Sequence, residues 1–251
     1  MDSRLLIVLL LGLAGQAQEG PAPLKTDWGK IEWKADSLYL YIDSWPADGK
    51  VTIPRLNNPI GTVYRVNDPA KTPLGFQPNI ADWSVSRPKT PAPGPDVVVV
   101  EVKGTPRAAG EPVVVEPAAD ASITLAAHNV VTHGKLLRYE PQPHKNTVGY
   151  WADENDWCEW RLKVAKAGKY GIRLLQGCGK GQGGSAVKIV MAGQTLEYTV
   201  EDTGHFQNFV ERPAGTILVE KPGDYALELR AVKKAKGAVM DVRQVQLVPV
   251  E

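Results

Sequence analysis

The run WCEWRLKVAKAGKYGIRLL, residues 157–175, decides the fold. Cys158, Trp160, Leu162 and Val164 recur at every second position, with Glu159, Arg161 and Lys163 between them. A period of two places the apolar set on one face of a half-buried strand and the charged set on the other. Ala167-Gly168 then breaks the run, and a second alternating stretch continues from Tyr170 to Gly177. Two strands joined by a tight turn make an antiparallel pair.

The same pattern extends outward in both directions. Strands are expected downstream at 186–191, 194–200, 216–220, 223–232 and 242–250, with turns at Ala192-Gly193 and Pro222-Gly223. Upstream, shorter ones are expected at 113–115 and 122–125. A first group falls at 37–42, 50–54, 61–66, 83–86 and 96–102, divided by Pro46-Ala47-Asp48-Gly49 and Asn57-Asn58-Pro59. Asp-Gly and Asn-Pro are turn formers. The Val97–Val100 run reads as a strand buried on both faces or central in a sheet. Nowhere does a stretch of 12 residues hold a 3.6 period. The reading is all-β: two β-sandwich modules at 24–103 and 113–251, joined by the linker GTPRAAGEP, 104–112.

Composition agrees. The 251 residues include 24 Gly and 20 Pro, a density that argues against helical bundles and βα-rich enzymes. A hydrophobic content of 43% excludes disorder throughout. A net charge of +1 leaves no electrostatic footprint for nucleic acid. Arg4 precedes an apolar run from Leu5 to Ala14, too short for a span of about 20 residues. With small residues at Gly15 and Ala17, residues 1–17 read as a cleaved signal peptide. The chain is therefore expected to be secreted or periplasmic, without a membrane anchor. Export permits a disulfide between Cys158 and Cys178, although two buried thiols are the reading to prefer. Two cysteines make no zinc site.

Most chemical motifs dissolve on inspection. Gly179–Gly184 fits G-x-G-x-x-G, but a strand-like run follows it where nucleotide binding needs a helix N-terminus. His128, His133, His144 and His205 lack metal spacing. Asp153, Glu154 and Asp156 share one loop, which suits turn capping or ion binding rather than a carboxylate pair facing across a cleft. No catalytic residue is assigned. Tyr150, Trp151 and Trp157, and then His205-Phe206-Gln207-Asn208, lie in polar segments outside clear alternation. Rings presented there can stack on sugar rings while amides bond hydroxyls.

The stretches VGYWADENDWCEWRLKVAKAGKYGIRL (148–174), VEDTGHFQNF (200–209) and AVMDVRQVQLVP (238–249) resemble carbohydrate-binding modules of families 6 and 35. The resemblance implies a galactose-binding-like jelly roll. It puts stacking aromatics at Tyr150, with Trp151 alongside, and at Phe206, with hydroxyl contacts from Gln207, Asn208 and Asp241. Val239 stands where the family often has Asn. A structural calcium in that family uses an early Ala-Glu pair and a late Asp. Asp241 matches the latter, but Ala127-His128 replaces the former, so calcium stays open and no other cofactor is expected.

Residues 27–102, with LYLYIDSWPADGK (38–50) and VVVVEV (97–102), are similar to the C-terminal β-domain of family 29 α-L-fucosidases. Those enzymes carry their catalytic carboxylates on a preceding barrel of about 250 residues. About ten residues separate Ala17 from Trp28, so no barrel is expected. The combined reading is an exported, non-catalytic carbohydrate-binding protein. The alternatives are an accessory protein that docks onto a separate glycoside hydrolase, or a degenerate α-L-fucosidase.

Overall fold

The computed structural model describes residues 22–90 and 96–250. The proposed signal peptide lies outside them. The chain divides into two compact units between Ala108 and Ala109. Among the described residues the one helical element is a short 3-10 turn, Ala127–Asn129. The all-β expectation holds.

The first unit contains β1 (Leu24–Lys25), β2 (Gly29–Lys34), β3 (Ser37–Ile42), β4 (Lys50–Pro54), β5 (Ile60–Arg65), β6 (Phe76–Pro78), β7 (Asp82–Ser86) and β8 (Asp96–Val102). A five-stranded sheet in the order β1-β2-β3-β8-β5 accompanies a three-stranded sheet β4-β7-β6. Ile31, Leu38, Leu40, Val98 and Val100 from the larger sheet share a core with Val51, Ile53, Trp83 and Val85 from the smaller. Val99 points to the other face yet is only 1% exposed. Its cross-strand neighbours Tyr39 and Tyr64 flank it. The four-valine run is therefore central and covered on both sides, as its sequence requires.

The second unit contains β9 (Val114–Val115), β10 (Ile123–Ala126), β11 (Val131–His133), β12 (Arg138–Glu140), β13 (Thr147–Gly149), β14 (Trp157–Val164), β15 (Gly168–Cys178), β16 (Ala186–Met191), β17 (Gln194–Thr199), β18 (His205–Val219), β19 (Gly223–Lys233) and β20 (Asp241–Val250). One sheet runs β12-β13-β20-β15-β18 with β10 beside β20; the other runs β11-β14-β19-β16-β17 with β9 beside β14. From β13 onward the chain passes repeatedly between the two sheets, which is jelly-roll winding. Trp160, Leu162, Ile189, Leu227 and Leu229 from one sheet meet Tyr170, Ile172, Leu174, Val245 and Leu247 from the other in one core. Burial of these alternate side chains is what the period of two predicts.

Two departures matter. The segment 205–208, expected in a loop, opens the 15-residue strand β18. Pro213 and Gly215 look like strand breakers, but β18 lies at a sheet edge, where a missing N–H is tolerated, and a register irregularity beside them absorbs the strain. The edge is closed locally by Gln194: its side-chain Nε2 donates to Leu218 O at 2.6 Å, and Leu218 N donates to Gln194 Oε1 at 3.1 Å. The second departure is the pair β12 and β13, which the alternation did not reveal because all six residues are buried.

Candidate functional site

Tyr150 and Trp151 are adjacent in sequence and opposite in fate. Trp151 is 1% exposed, and its Nε1 donates to Asp156 O at 2.9 Å. It anchors the loop from inside, so it offers no ring face to a ligand; the stacking role expected of it is withdrawn. Tyr150 is 43% exposed and is the one aromatic among the exposed large apolar side chains of the described residues. Its φ of +59° puts a bulky residue in the left-handed region. That conformation is costly for an aromatic residue and points the ring away from the core that Trp151 enters. Val239, buried, donates its N–H to Trp151 O at 2.8 Å, tying this loop to the segment that enters β20.

Beside Tyr150 lies a pocket of about 240 Å³ lined by Glu140, Lys145, Tyr150, Ala152, Phe206, Gln207, Ala238 and Asp241. Four residues named from sequence thus meet: Tyr150, Phe206, Gln207 and Asp241. Asn208 does not line it, and its Nδ2 donates to Thr203 O at 2.6 Å instead. Arg138 packs on the Tyr150 ring, its guanidinium carbon 3.3 Å from the centroid, and fixes the ring in place. Phe206 is half-buried against Gly179, where an added Cβ would come within 2.6 Å of the ring. Gly179 is thus a seat for Phe206 rather than part of a phosphate loop.

The floor is acidic. Glu140 is 2% exposed and Asp241 6% exposed. Both converge beside Gly149, where a Cβ would lie 2.5 Å from Glu140 Oε2 and 3.1 Å from Asp241 Oδ1. Lys145 Nζ pairs with Glu140 at 2.5 Å. Asp241 has the Gln207 side chain as a hydrogen-bond partner. Burial above all, and then the like charge of Glu140, push the Asp241 carboxyl up to about 8, against the weaker pull of Lys145 and Gln207. Glu140 and Lys145 escaped the sequence reading. A buried Glu flanked by buried residues has no periodic signature, and its partner Asp241 is remote along the chain.

The other candidates resolve as structure. Asp156 accepts backbone N–H groups from Lys135, Leu136 and Leu137 at 2.7–2.8 Å, and Asp153 accepts from Asn155 at 3.0 Å. Trp157 lies between His133, whose ring is stacked at 3.8 Å, and Arg230 at 3.5 Å. These come from strands on either side of β14, so both ring faces are covered. Cys158 and Cys178 are free and buried, and burial raises both thiols, Cys178 to about 11. Calcium does not fit here: a lysine ammonium already occupies Glu140. Among the described residues no three His, Cys, Asp or Glu side chains group to hold a metal.

Residues 138–249 match a family described as a domain of unknown function, DUF5077. That stretch holds every residue of the pocket. The chain has no match among curated proteins. Among solved structures it is similar to an α-L-fucosidase from Vibrio sp. strain EJY3, at 16% identity over 89% of this chain, with a TM-score of 0.39. The chain spans 40% of that enzyme's length. It is also similar to the C-terminal CBM6 of LamC, a laminarinase from Zobellia galactanivorans, at 19% identity over 51% of this chain and 98% of that module, TM-score 0.42. A family 35 carbohydrate-binding module from Clostridium thermocellum aligns at 13% identity over 51% of this chain and 98% of that one, TM-score 0.41. These neighbours include an α-L-fucosidase and modules of both carbohydrate-binding families that the sequence resembles.

Proposed function

We propose that this protein binds carbohydrate, without catalysis, in the Glu140–Tyr150–Phe206–Asp241 pocket of its second unit. One observation carries the reading: three segments far apart in sequence bring an exposed tyrosine, a phenylalanine and buried polar groups to one concave site. Tyr150 and Phe206 supply apolar surface for sugar C–H groups, and Gln207, Lys145 and the carboxylates supply hydroxyl partners. A small pocket with two rings implies a Kd of roughly micromolar to millimolar. Glu140 and Asp241 converge on one point of the floor instead of flanking a ligand, which argues against glycosidase chemistry.

On this reading residues 1–17 direct export, and residues 113–251 form the binding module. A glycan array probed with the full chain tests the function. Binding lost in both Tyr150→Ala and Phe206→Ala supports the site. Binding retained in both removes it, and release of fucose from an aryl fucoside would overturn the non-catalytic assignment.

A further inference from the structure

The pocket holds two nearly buried carboxyl groups and one ammonium, which is bonded to only one of them. Two nearly buried carboxylates, Glu140 from β12 and Asp241 from β20, meet beside Gly149. The charged side chains described around them are already engaged, Lys234 by the Ala152 carbonyl. Lys145 is bound to Glu140. The Arg138 guanidinium lies on the Tyr150 ring, and its Nη1 donates to Leu136 O. Arg243, on the same strand as Asp241, faces Phe209 and donates to the carbonyls of His144 and Lys145. On the β15 side stands Cys178, whose protonated thiol brings no positive charge. From β18 comes only the neutral amide of Gln207. Among the described residues Lys145 is thus the cation that acts on Asp241, and it is bonded to Glu140 instead, in a site walled by Tyr150, Phe206, Ala152 and Ala238.

We propose that the pocket selects a sugar bearing a free amino group, held as its ammonium by Asp241, between Tyr150 and Phe206. The proposal rests on the carbohydrate-binding reading above and specifies its ligand class. An N–H⁺ to carboxylate bond is stronger than one from a neutral hydroxyl, and poor solvation enlarges the difference. Aromatic walls suit a cation as well as sugar C–H groups. Binding is coupled to a proton. Below about pH 8 the Asp241 carboxyl carries one, and it must leave to solvent as the ammonium takes its place. The bound pair is a carboxylate and an ammonium; the released proton balances the charge. A neutral sugar releases none.

Calorimetric titration of the full chain at pH 7 tests this with three tetrasaccharides: β-1,4-linked glucosamine, its fully N-acetylated form, and cellotetraose. The glucosamine oligomer is expected to bind roughly tenfold more tightly than the other two. Its heat should vary with the buffer's ionisation enthalpy in the sense of proton release. Asp241→Asn, which keeps shape and removes the charge, should bring all three to similar affinity and abolish that release. Lys145→Gln, which frees Glu140, should widen the preference. If the N-acetylated or the neutral oligomer binds as tightly as the amine in the unaltered protein, the amino-sugar inference fails while carbohydrate binding stands. If amine binding survives both Asp241→Asn and Tyr150→Ala, it is non-specific attraction and the inference fails too. If none of the three binds and the glycan array is also blank, the carbohydrate reading itself falls.

Discussion

Two regions of this molecule present aromatic rings and charges together, with different meanings. On the outer face of the first unit's larger sheet, Lys30 lies over Tyr41 at 4.7 Å, Lys34 over Tyr39 at 4.6 Å, and Lys71 over Tyr64 at 4.6 Å. Each carboxylate there has its lysine: Glu32 pairs with Lys30 and Lys34, and Glu101 with Lys71. On that face three lysines meet two carboxylates, so neither carboxylate lacks a cation. In the second unit's pocket the rings border buried carboxyl groups, and Asp241 has no ion-pair partner among the described residues. Surface aromatics alone do not mark a site. A buried carboxyl group with no ion-pair partner in a concavity does, because a bound cation can take the place of its proton.

The comparison can be broken at several points. The largest effect is expected from Trp151→Ala, which empties a buried aromatic volume and should cost about 3–5 kcal/mol in urea unfolding. A variant as stable as the parent would return Trp151 to the list of candidate ligand contacts. Asp156→Ala strips three backbone N–H groups of their acceptor and should cost about 2–3 kcal/mol by the same measurement. Tyr150→Gly separates function from stability. Glycine accepts the positive φ, so unfolding stability should hold or rise by up to about 1 kcal/mol, while glycan affinity falls at least about tenfold. Tyr41→Ala, on the first unit's face, should leave glycan affinity unchanged; a loss there would mean that this ion-paired surface also binds.

The pH dependence sharpens the same contrast. Asp241 holds its proton up to about pH 8 in the folded protein, whereas in the unfolded chain it releases it near 3.8. Between those values the native state binds more protons, so stability falls as pH rises from about 4 toward 8. Asp241→Asn should flatten that decline. An unchanged profile in the variant would mean that Asp241 is ionised through that range and is not raised.

Much of the fold was readable from alternation, as in residues 157–164, although Gly29–Lys34, with Lys30, Glu32 and Lys34 on its wet face, was not among the expected strands. It failed for Arg138–Glu140 and Thr147–Gly149, which are buried throughout and too short to show a period. It failed again at Pro213, where residue identity suggested a break and edge position overrode it. The site was half legible. Tyr150, Phe206, Gln207 and Asp241 stood out through motif and polarity, but Trp151 was assigned to the wrong side. Tyr150 faces out as expected and Trp151 turns into the core, a split that goes with the positive φ at Tyr150, and no composition rule reports a dihedral angle. Glu140 and Lys145 join the site only through strand pairing across β12, β13 and β20.

The Gln194 side chain leaves one more consequence. A 15-residue strand on the rim of a sheet is a template on which another chain can lay down hydrogen bonds. At Leu218 both the outward N–H and the outward C=O are already taken by one amide, and at Pro213 the chain has no N–H to offer. The rim is thus interrupted at two points, which leaves only residues 214–217 between them. A single glutamine and a single proline thus shorten the run of free backbone groups that this rim offers to another chain.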